Sequence, residues 1–193
     1  MAQWLIVLLG YVMGMCPTAY IFSKKMLGKD IRRLGDGNMG ARNAYFEISP
    51  NIGILVAVID GAKGLLAVLV AKWLGASQTV AMATGLAALT GHNFPFFLKF
   101  RGGRGAATTI GVLLALEPVP VLIVGVPAIL TLLIVRNVTI ANAVIFCGLP
   151  LVSWWLDVPG VLIVYGMALP SLVGITHFFR TRHAEKPAGA GTA

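Results

Sequence analysis

The sequence predicts an all-α membrane protein of about seven transmembrane helices, with its amino terminus outside and its carboxyl terminus in the cytoplasm. Two observations carry this reading. Apolar runs, each close to the ~20 residues that a membrane helix needs, cover most of the chain. The basic residues gather in short clusters between alternate runs. Of the 193 residues, 58% are hydrophobic and only 11% charged. Soluble domains carry about 25% charged residues, so this chain lacks the polar surface that a water-soluble fold requires. Its net charge of +8 lies between apolar runs instead of along one soluble face, which argues against a nucleic-acid partner.

The expected spans are residues 4–22, 51–73, 79–98, 105–117, 120–135, 139–156 and 159–179. The first run opens without a basic segment, and Lys24 and Lys25 follow it. A cleaved signal has the opposite layout, so the run reads as a permanent helix. Asn51, just after Pro50, is the expected cap of the second span. Pro118 and Pro120 break the chain between the fourth and fifth, and Asp157, Pro159 and Gly160 separate the sixth from the seventh. Cys16 and Cys147 lie inside apolar runs without metal or disulfide spacing, which predicts core packing.

An odd count places the ends on opposite sides. If the loops after spans one, three, five and seven are cytoplasmic, they collect thirteen of the fifteen basic residues. These are Lys24, Lys25, Lys29, Arg32, Arg33, Arg42, Lys99, Arg101, Arg104, Arg136, Arg180, Arg182 and Lys186. The positive-inside rule then sets the orientation. Residues 1–183 read as one domain, and residues 184–193 as a disordered cytoplasmic tail.

Two features depart from a plain helical bundle. The loop at 23–50 is long, polar and basic, and the fourth span is short and starts at a glycine-rich loop. Within the first loop, Arg32 to Asn43 combines turn-forming glycines and asparagines with flanking arginines, a composition that suits an anion or an ordinary positive-inside loop. Next, Arg101-Gly102-Gly103-Arg104-Gly105 runs straight into the short helix. Glycine backbone leading to a helix N-terminus is the combination expected of a phosphate site. The preceding Phe94, Pro95, Phe96 and Phe97 read as an interfacial aromatic belt. A third basic segment, His177 to His183, ends the last span. Inside span two, Asp60 and Lys63 lie three apart and share a helix face; they mark either a cavity or a self-neutralising pair.

Ready-made catalytic motifs are missing. There is no Gly-x-Ser-x-Gly elbow, no His-Glu-x-x-His and no Walker loop. The His-x-x-x-x-Asp acyltransferase pattern also fails, because Phe97 stands five residues after His92. Chemistry here must rest on positioning and anion stabilisation.

The three basic segments, in this order on a chain of this length, resemble the bacterial membrane-integral glycerol-3-phosphate acyltransferases that use acyl-phosphate. The likeness runs from about residue 10 to residue 183. It rests on Gly35, Gly37, Asn38, Gly40 and Asn43, then Asp60, Lys63 and Gly64. It continues through Gly91, His92, Pro95, Phe97, Gly102, Gly103, Gly105 and Thr108 to Arg136 and His177. Departures are Asp36 for a serine, Arg42 for a threonine, Phe46 for an arginine, Arg101 and Arg104 for lysines, Arg180 for an asparagine and His183 for an arginine. Arg42 is the expected partner of Asp36, with another nearby arginine as the alternative, and a substitute for the arginine missing at Phe46.

The resemblance implies transfer of a fatty acyl group from acyl-phosphate to the 1-hydroxyl of glycerol 3-phosphate, giving lysophosphatidic acid at the cytoplasmic face of the bacterial cell membrane. Arg104, His177 and Asn38 would then be catalytic. Gly35, Asp36, Gly37, Gly40, Arg42, Asn43, His92, Arg101, Gly102, Gly103, Gly105, Thr108, Arg136 and Arg180 would bind substrate. No cofactor and no metal are called for. The implied partners are the two substrates, membrane lipids and the soluble enzyme that makes acyl-phosphate. Two alternatives stand beside this reading: a divergent relative with another phosphorylated acceptor or no activity, and a small anion transporter or channel.

Overall fold

The computed structural model describes residues 2–184, with side chains through residue 179. The described residues form nine α-helices and two short 3-10 turns, without strands. The helices are α1 (Gln3–Gly14), α2 (Thr18–Leu27), α3 (Ala41–Glu47), α4 (Pro50–Trp73), α5 (Gln78–Asn93), α6 (Ala106–Leu116), α7 (Pro118–Val135), α8 (Val138–Trp155) and α9 (Gly160–Ala184).

Each expected span falls on helix, and the count of crossings is refined by helix length. Five stretches are long and apolar enough to cross a membrane: Gln3–Leu27, Pro50–Trp73, Pro118–Val135, Val138–Trp155 and Gly160–Phe179. The other two, α5 and α6, have 16 and 11 residues. At 1.5 Å per residue they are about 24 Å and 16 Å long, short of the ~30 Å hydrocarbon core. Of the tail expected from residue 184, only Ala184 is described, and it is helical; the rest lies outside the described residues.

Local chemistry sets the breaks. Pro17 divides α1 from α2, because its ring cannot continue the α1 ladder; the Lys63 ammonium on α4 donates to the Cys16 carbonyl there at 2.9 Å. Ser49, not Asn51, caps α4: its hydroxyl accepts from the Ile52 amide at 3.3 Å, and Pro50 takes the first helical position. Pro is favoured there because its missing donor has no partner to lose. Helix α5 stops at Asn93, five residues before the expected end, since Pro95 biases its predecessor away from helix. Between α6 and α7, buried Glu117 accepts from the Ser153 hydroxyl at 2.6 Å and so ties the turn to α8.

The helices that carry the basic loops pack backbone to backbone. A Cβ on Gly10 or Gly14 of α1 would collide with the Thr84 and Ala88 carbonyls of α5, and one on Gly91 with the Tyr11 carbonyl. On the α4–α6 seam, Gly64 lies against the Thr108 carbonyl and Gly111 against the Gly61 carbonyl. Small residues allow such approach where lipid, as apolar as leucine, provides no hydrophobic drive between helices. The main core lies among α4, α5, α6, α8 and α9, around Val68, Leu89, Leu113, Leu149 and Leu169. A second core of Ala19, Ile31, Met39, Ala44, Val56 and Leu98 lies under the 23–50 segment. That segment is therefore folded, not a free loop. Cys16 and Cys147 are exposed, against the core packing expected of them; they sit on outward faces, along with Trp73, Trp154 and Ile134.

Candidate active site

The first wall of the site starts at Asp30. Its carboxylate caps the 3-10 turn Ile31–Arg33 by accepting from the Arg32 amide at 3.0 Å, and it holds the Arg32 guanidinium at 2.7 Å. The Arg32 hydrogen bond keeps the Asp30 carboxyl below the usual carboxylate range, against the opposing effect of burial. The same guanidinium donates to the Leu98 carbonyl at 2.9 Å and stacks over Tyr20. One arginine thus joins the first loop to the second.

After the 3-10 turn the chain reverses at Gly35 and Gly37, with φ of +53° and +68°, angles that favour glycine. Asn43 fills the inside of this reversal. Its amide donates to the Ile31, Leu34 and Asn38 carbonyls at 3.2, 3.0 and 2.9 Å, and its oxygen accepts from the Asp36 amide at 3.3 Å. Expected to bind substrate, Asn43 is buried and holds the loop from within.

The second wall follows α5. Lys99 and Phe100 both have positive φ, and the chain folds back so that the Gly102 amide donates to the Asn93 carbonyl and the Gly103 amide to the His92 carbonyl, each at 3.0 Å. These are end carbonyls of α5 that a helix leaves without partners. The Gly102 and Gly103 amides are therefore engaged, and the phosphate cradle expected of them is not open. A Cβ at Gly103 would enter the His92 ring. His92 is itself buried, with Nδ1 3.8 Å from Asp60 Oδ1. Asp60 also pairs with Lys63 and accepts from the Thr18 hydroxyl, each at 2.9 Å. The charged pair on α4 is formed, and it is tied further to Thr18 and to the Cys16 carbonyl.

Arg104 leaves this loop at the mouth of α6. Its Nη1 donates to Asp36 Oδ2 at 3.0 Å, and its carbonyl accepts from the Thr176 hydroxyl of α9 at 3.3 Å. Its Nε is buried without a hydrogen bond among the described residues. Arg42, the expected partner of Asp36, stands farther away at 3.9 Å and stacks its guanidinium over Phe46 at 5.6 Å.

Between the walls lies a cleft of about 730 Å³. Asp36, Gly37, Asn38, Arg101, Gly102 and Arg104 line it as the sequence implied. Arg32, Phe94, Phe100, Ile175, Thr176 and Phe179 join them without having been singled out as site residues. Arg32 had been marked only as one of the arginines that flank the anion-suited segment 32–43. Gly35, Gly40, Gly103 and Gly105 shape the loops without lining the cleft. His92 and Thr108 are buried behind it, the latter in the α4–α6 seam, which corrects their assignment to direct binding. His177 sits beside Thr176 on α9 and feels the charges of Arg104, Asp36 and Arg42. Arg136 is exposed in the α7–α8 turn and does not reach the cleft, because that hairpin packs on α6 and α9 while the first loop packs on α4. The Arg180 side chain lies outside the described residues. The result is a cleft with three arginines and three phenylalanines in its wall, suited to an anion that carries an apolar group.

A family model described as glycerol-3-phosphate acyltransferase matches residues 4–187. Glycerol-3-phosphate acyltransferase 4 of Dehalococcoides mccartyi is 46% identical over 178 residues, which span 92% of this chain and 96% of the relative. The glycerol-3-phosphate acyltransferase of Geotalea daltonii is 34% identical over 178 residues, 92% of this chain and 91% of the relative. Among solved structures, the glycerol 3-phosphate form of PlsY (YgiH), an integral membrane glycerol 3-phosphate acyltransferase, superposes with a TM-score of 0.83. It is 28% identical, over 95% of this chain and 92% of that one. The lysophosphatidic acid form gives 0.80 at 27% identity, over 95% of this chain and 91% of that one.

Proposed function

The chain belongs to the glycerol-3-phosphate acyltransferase family, and from that premise we propose that it moves a fatty acyl group from acyl-phosphate to the 1-hydroxyl of glycerol 3-phosphate. The hydroxyl oxygen attacks the acyl carbonyl carbon, the bond from that carbon to the phosphate oxygen breaks, and the hydroxyl proton passes to the departing phosphate. Lysophosphatidic acid and inorganic phosphate leave. No strong protein nucleophile is needed, because phosphate is already a good leaving group. Holding two substrates in line contributes about 7–11 kcal/mol in favourable cases, and fixed cations stabilise the charge that develops.

One observation carries this reading: Arg32, Arg101 and Arg104 line the same cleft as Phe94, Phe100, Ile175 and Phe179. The guanidiniums suit phosphate, and the apolar wall suits an acyl chain. Asn38 and His177 complete the catalytic set, with Arg104 at the reacting phosphate. Arg42 attracts substrate from the exposed side of Asp36, Arg180 adds to the positive charge that draws it, and Arg136 contributes through its field alone. The remaining glycines and Asn43 act by shaping the loops.

The protein sits in the bacterial cell membrane with seven crossings, the short α5 and α6 included, its amino terminus outside and the cleft facing the cytoplasm. The thirteen-residue basic bias supports that orientation, and residues 1–183 act as one domain. The soluble enzyme that makes acyl-phosphate is the natural supplier of donor.

The test is direct. Purified protein in lipid, given acyl-phosphate and glycerol 3-phosphate, should form lysophosphatidic acid, and no product with either substrate omitted. Absence of product with both present sinks the proposal. A second reading, another phosphorylated acceptor, is favoured by Asp36 in the cleft wall. The same assay with other phosphate-monoester alcohols decides between them.

A further inference from the structure

Asp36 is bound in an unusual way for a cleft that awaits an anion. Its Oδ1 accepts from the Asn38 amide at 3.0 Å. Its Oδ2 accepts from Arg104 Nη1 at 3.0 Å and has Arg42 Nη1 at 3.9 Å. A backbone amide and two converging guanidiniums are the donor set that a phosphate monoester seeks, since guanidinium geometry matches carboxylate and phosphate alike. The carboxylate comes from the loop that opposes Arg104, 68 residues away in sequence, so local chain geometry does not force the contact.

We propose that Asp36 is a built-in anion: in the free protein it occupies the seat that a substrate phosphate takes during turnover, and it thereby sets the affinity for phosphate monoesters. This rests on the acyltransferase reading for the identity of the substrate. An arriving dianion exchanges with the carboxylate at Arg104 instead of meeting a bare cation, and afterwards the two negative groups share one cleft. Binding is weakened by that repulsion, and the returning carboxylate helps to expel inorganic phosphate. Neutralising Asp36 leaves the amide and both guanidiniums to the ligand.

The experiment measures binding of inorganic phosphate to the full-length protein in lipid nanodiscs by calorimetry, for the native chain, Asp36→Asn and Asp36→Ser. Asparagine keeps the size and an oxygen for the Asn38 amide; serine guards against a misfolded asparagine variant. Both should bind phosphate about tenfold more tightly, ~1.4 kcal/mol. Separate arms with glycerol 3-phosphate and with a non-transferable acyl phosphonate show which substrate uses the seat, by which of the two gains affinity. If neither variant binds any phosphate probe more tightly than the native chain, the proposal is overturned, even where lysophosphatidic acid is made. Tighter binding in the variants without any acyl transfer by the native chain keeps the built-in anion and removes the acyltransferase reading.

Discussion

Lys63 and Cys16 meet across the α1–α2 break, the ammonium donating to the carbonyl at 2.9 Å while it pairs with Asp60 at the same distance. The contact explains a charge placed inside a membrane helix. The break at Pro17 leaves the Cys16 carbonyl outside both helical ladders, where it accepts from the Thr18 amide at 3.1 Å and from Lys63; Asp60 neutralises Lys63. Lys63→Met should therefore destabilise the protein by about 3–5 kcal/mol, because a buried carboxylate loses its counterion. Adding Asp60→Asn should recover most of that loss, though not the ~1 kcal/mol of the Cys16 hydrogen bond. Unfolding in mixed micelles measures both, and a double variant no more stable than Lys63→Met contradicts the pairing.

Arg104 and Arg42 are unequal partners of Asp36, and their variants should differ. Arg104→Ala should lower turnover at least tenfold with normal membrane insertion, and Arg104→Lys should recover only part. Arg42, half-exposed at 3.9 Å, should matter less, so Arg42→Thr should cost several-fold at most. Equal losses for the two would remove Arg104 from its central role.

Glycine positions separate strain from site damage. Gly28 has φ of +67° and open space around it, so Gly28→Ala should cost only the left-handed backbone penalty of roughly 1–2 kcal/mol and spare activity in folded protein. Gly103→Ala would push a methyl into His92 and displace the loop that carries Arg101 and Arg104. Its activity should collapse even where thermal stability falls no further than in Gly28→Ala. The ratio of activity loss to melting shift checks this.

Acid should weaken the Asp30–Arg32 joint. Asp30 has a folded pKa below its unfolded value, through the Arg32 hydrogen bond. Its stabilisation is thus complete above the unfolded pKa of ~3.9 and is lost as pH falls through the depressed folded value. The stability gap between the native chain and Asp30→Asn should stay constant from about pH 7 to pH 5 and close below about pH 4. A gap that instead widens in acid would falsify this account.

Orientation has its own measurement. A carboxyl-terminal tag should resist protease added outside cells, and a cysteine placed beside Asp157 should react with an impermeant reagent. The opposite pattern inverts the topology.

The helix breaks at Pro118 and Gly160 were legible because proline and glycine act locally, whereas Pro17 and Pro95 interrupt the runs 4–22 and 79–98 that the sequence reads as continuous. The basic loops were legible for the same reason. What escaped the sequence was the occupancy of hydrogen-bonding groups. Gly102 and Gly103 look like open amides until α5 brings its last carbonyls beside them. Asn43 looks like a ligand until three carbonyls surround it. Arg42 is the near neighbour of Asp36 in sequence, yet α6 brings Arg104 closer. Arg136 shares the charge pattern but not the place. Residue types are local facts, whereas partners depend on how helices cross.

The glycine seams of α1 with α5 and of α4 with α6 reverse the usual map of mutational tolerance. In a water-soluble protein the large buried side chains are the ones that resist change. Here the largest apolar residues, such as Trp73, Leu133 and Ile134, face outward, where any lipid-compatible side chain serves. The fixed positions are those with no side chain at all: Gly14, Gly64, Gly91 and Gly111 have a neighbour's backbone where a methyl would stand. A deep mutational scan of this chain should therefore show the outward-facing bulky residues drifting freely while these glycines stay invariant, and the two invariant stripes would trace the helix contacts that hold the arginine loops over the cleft.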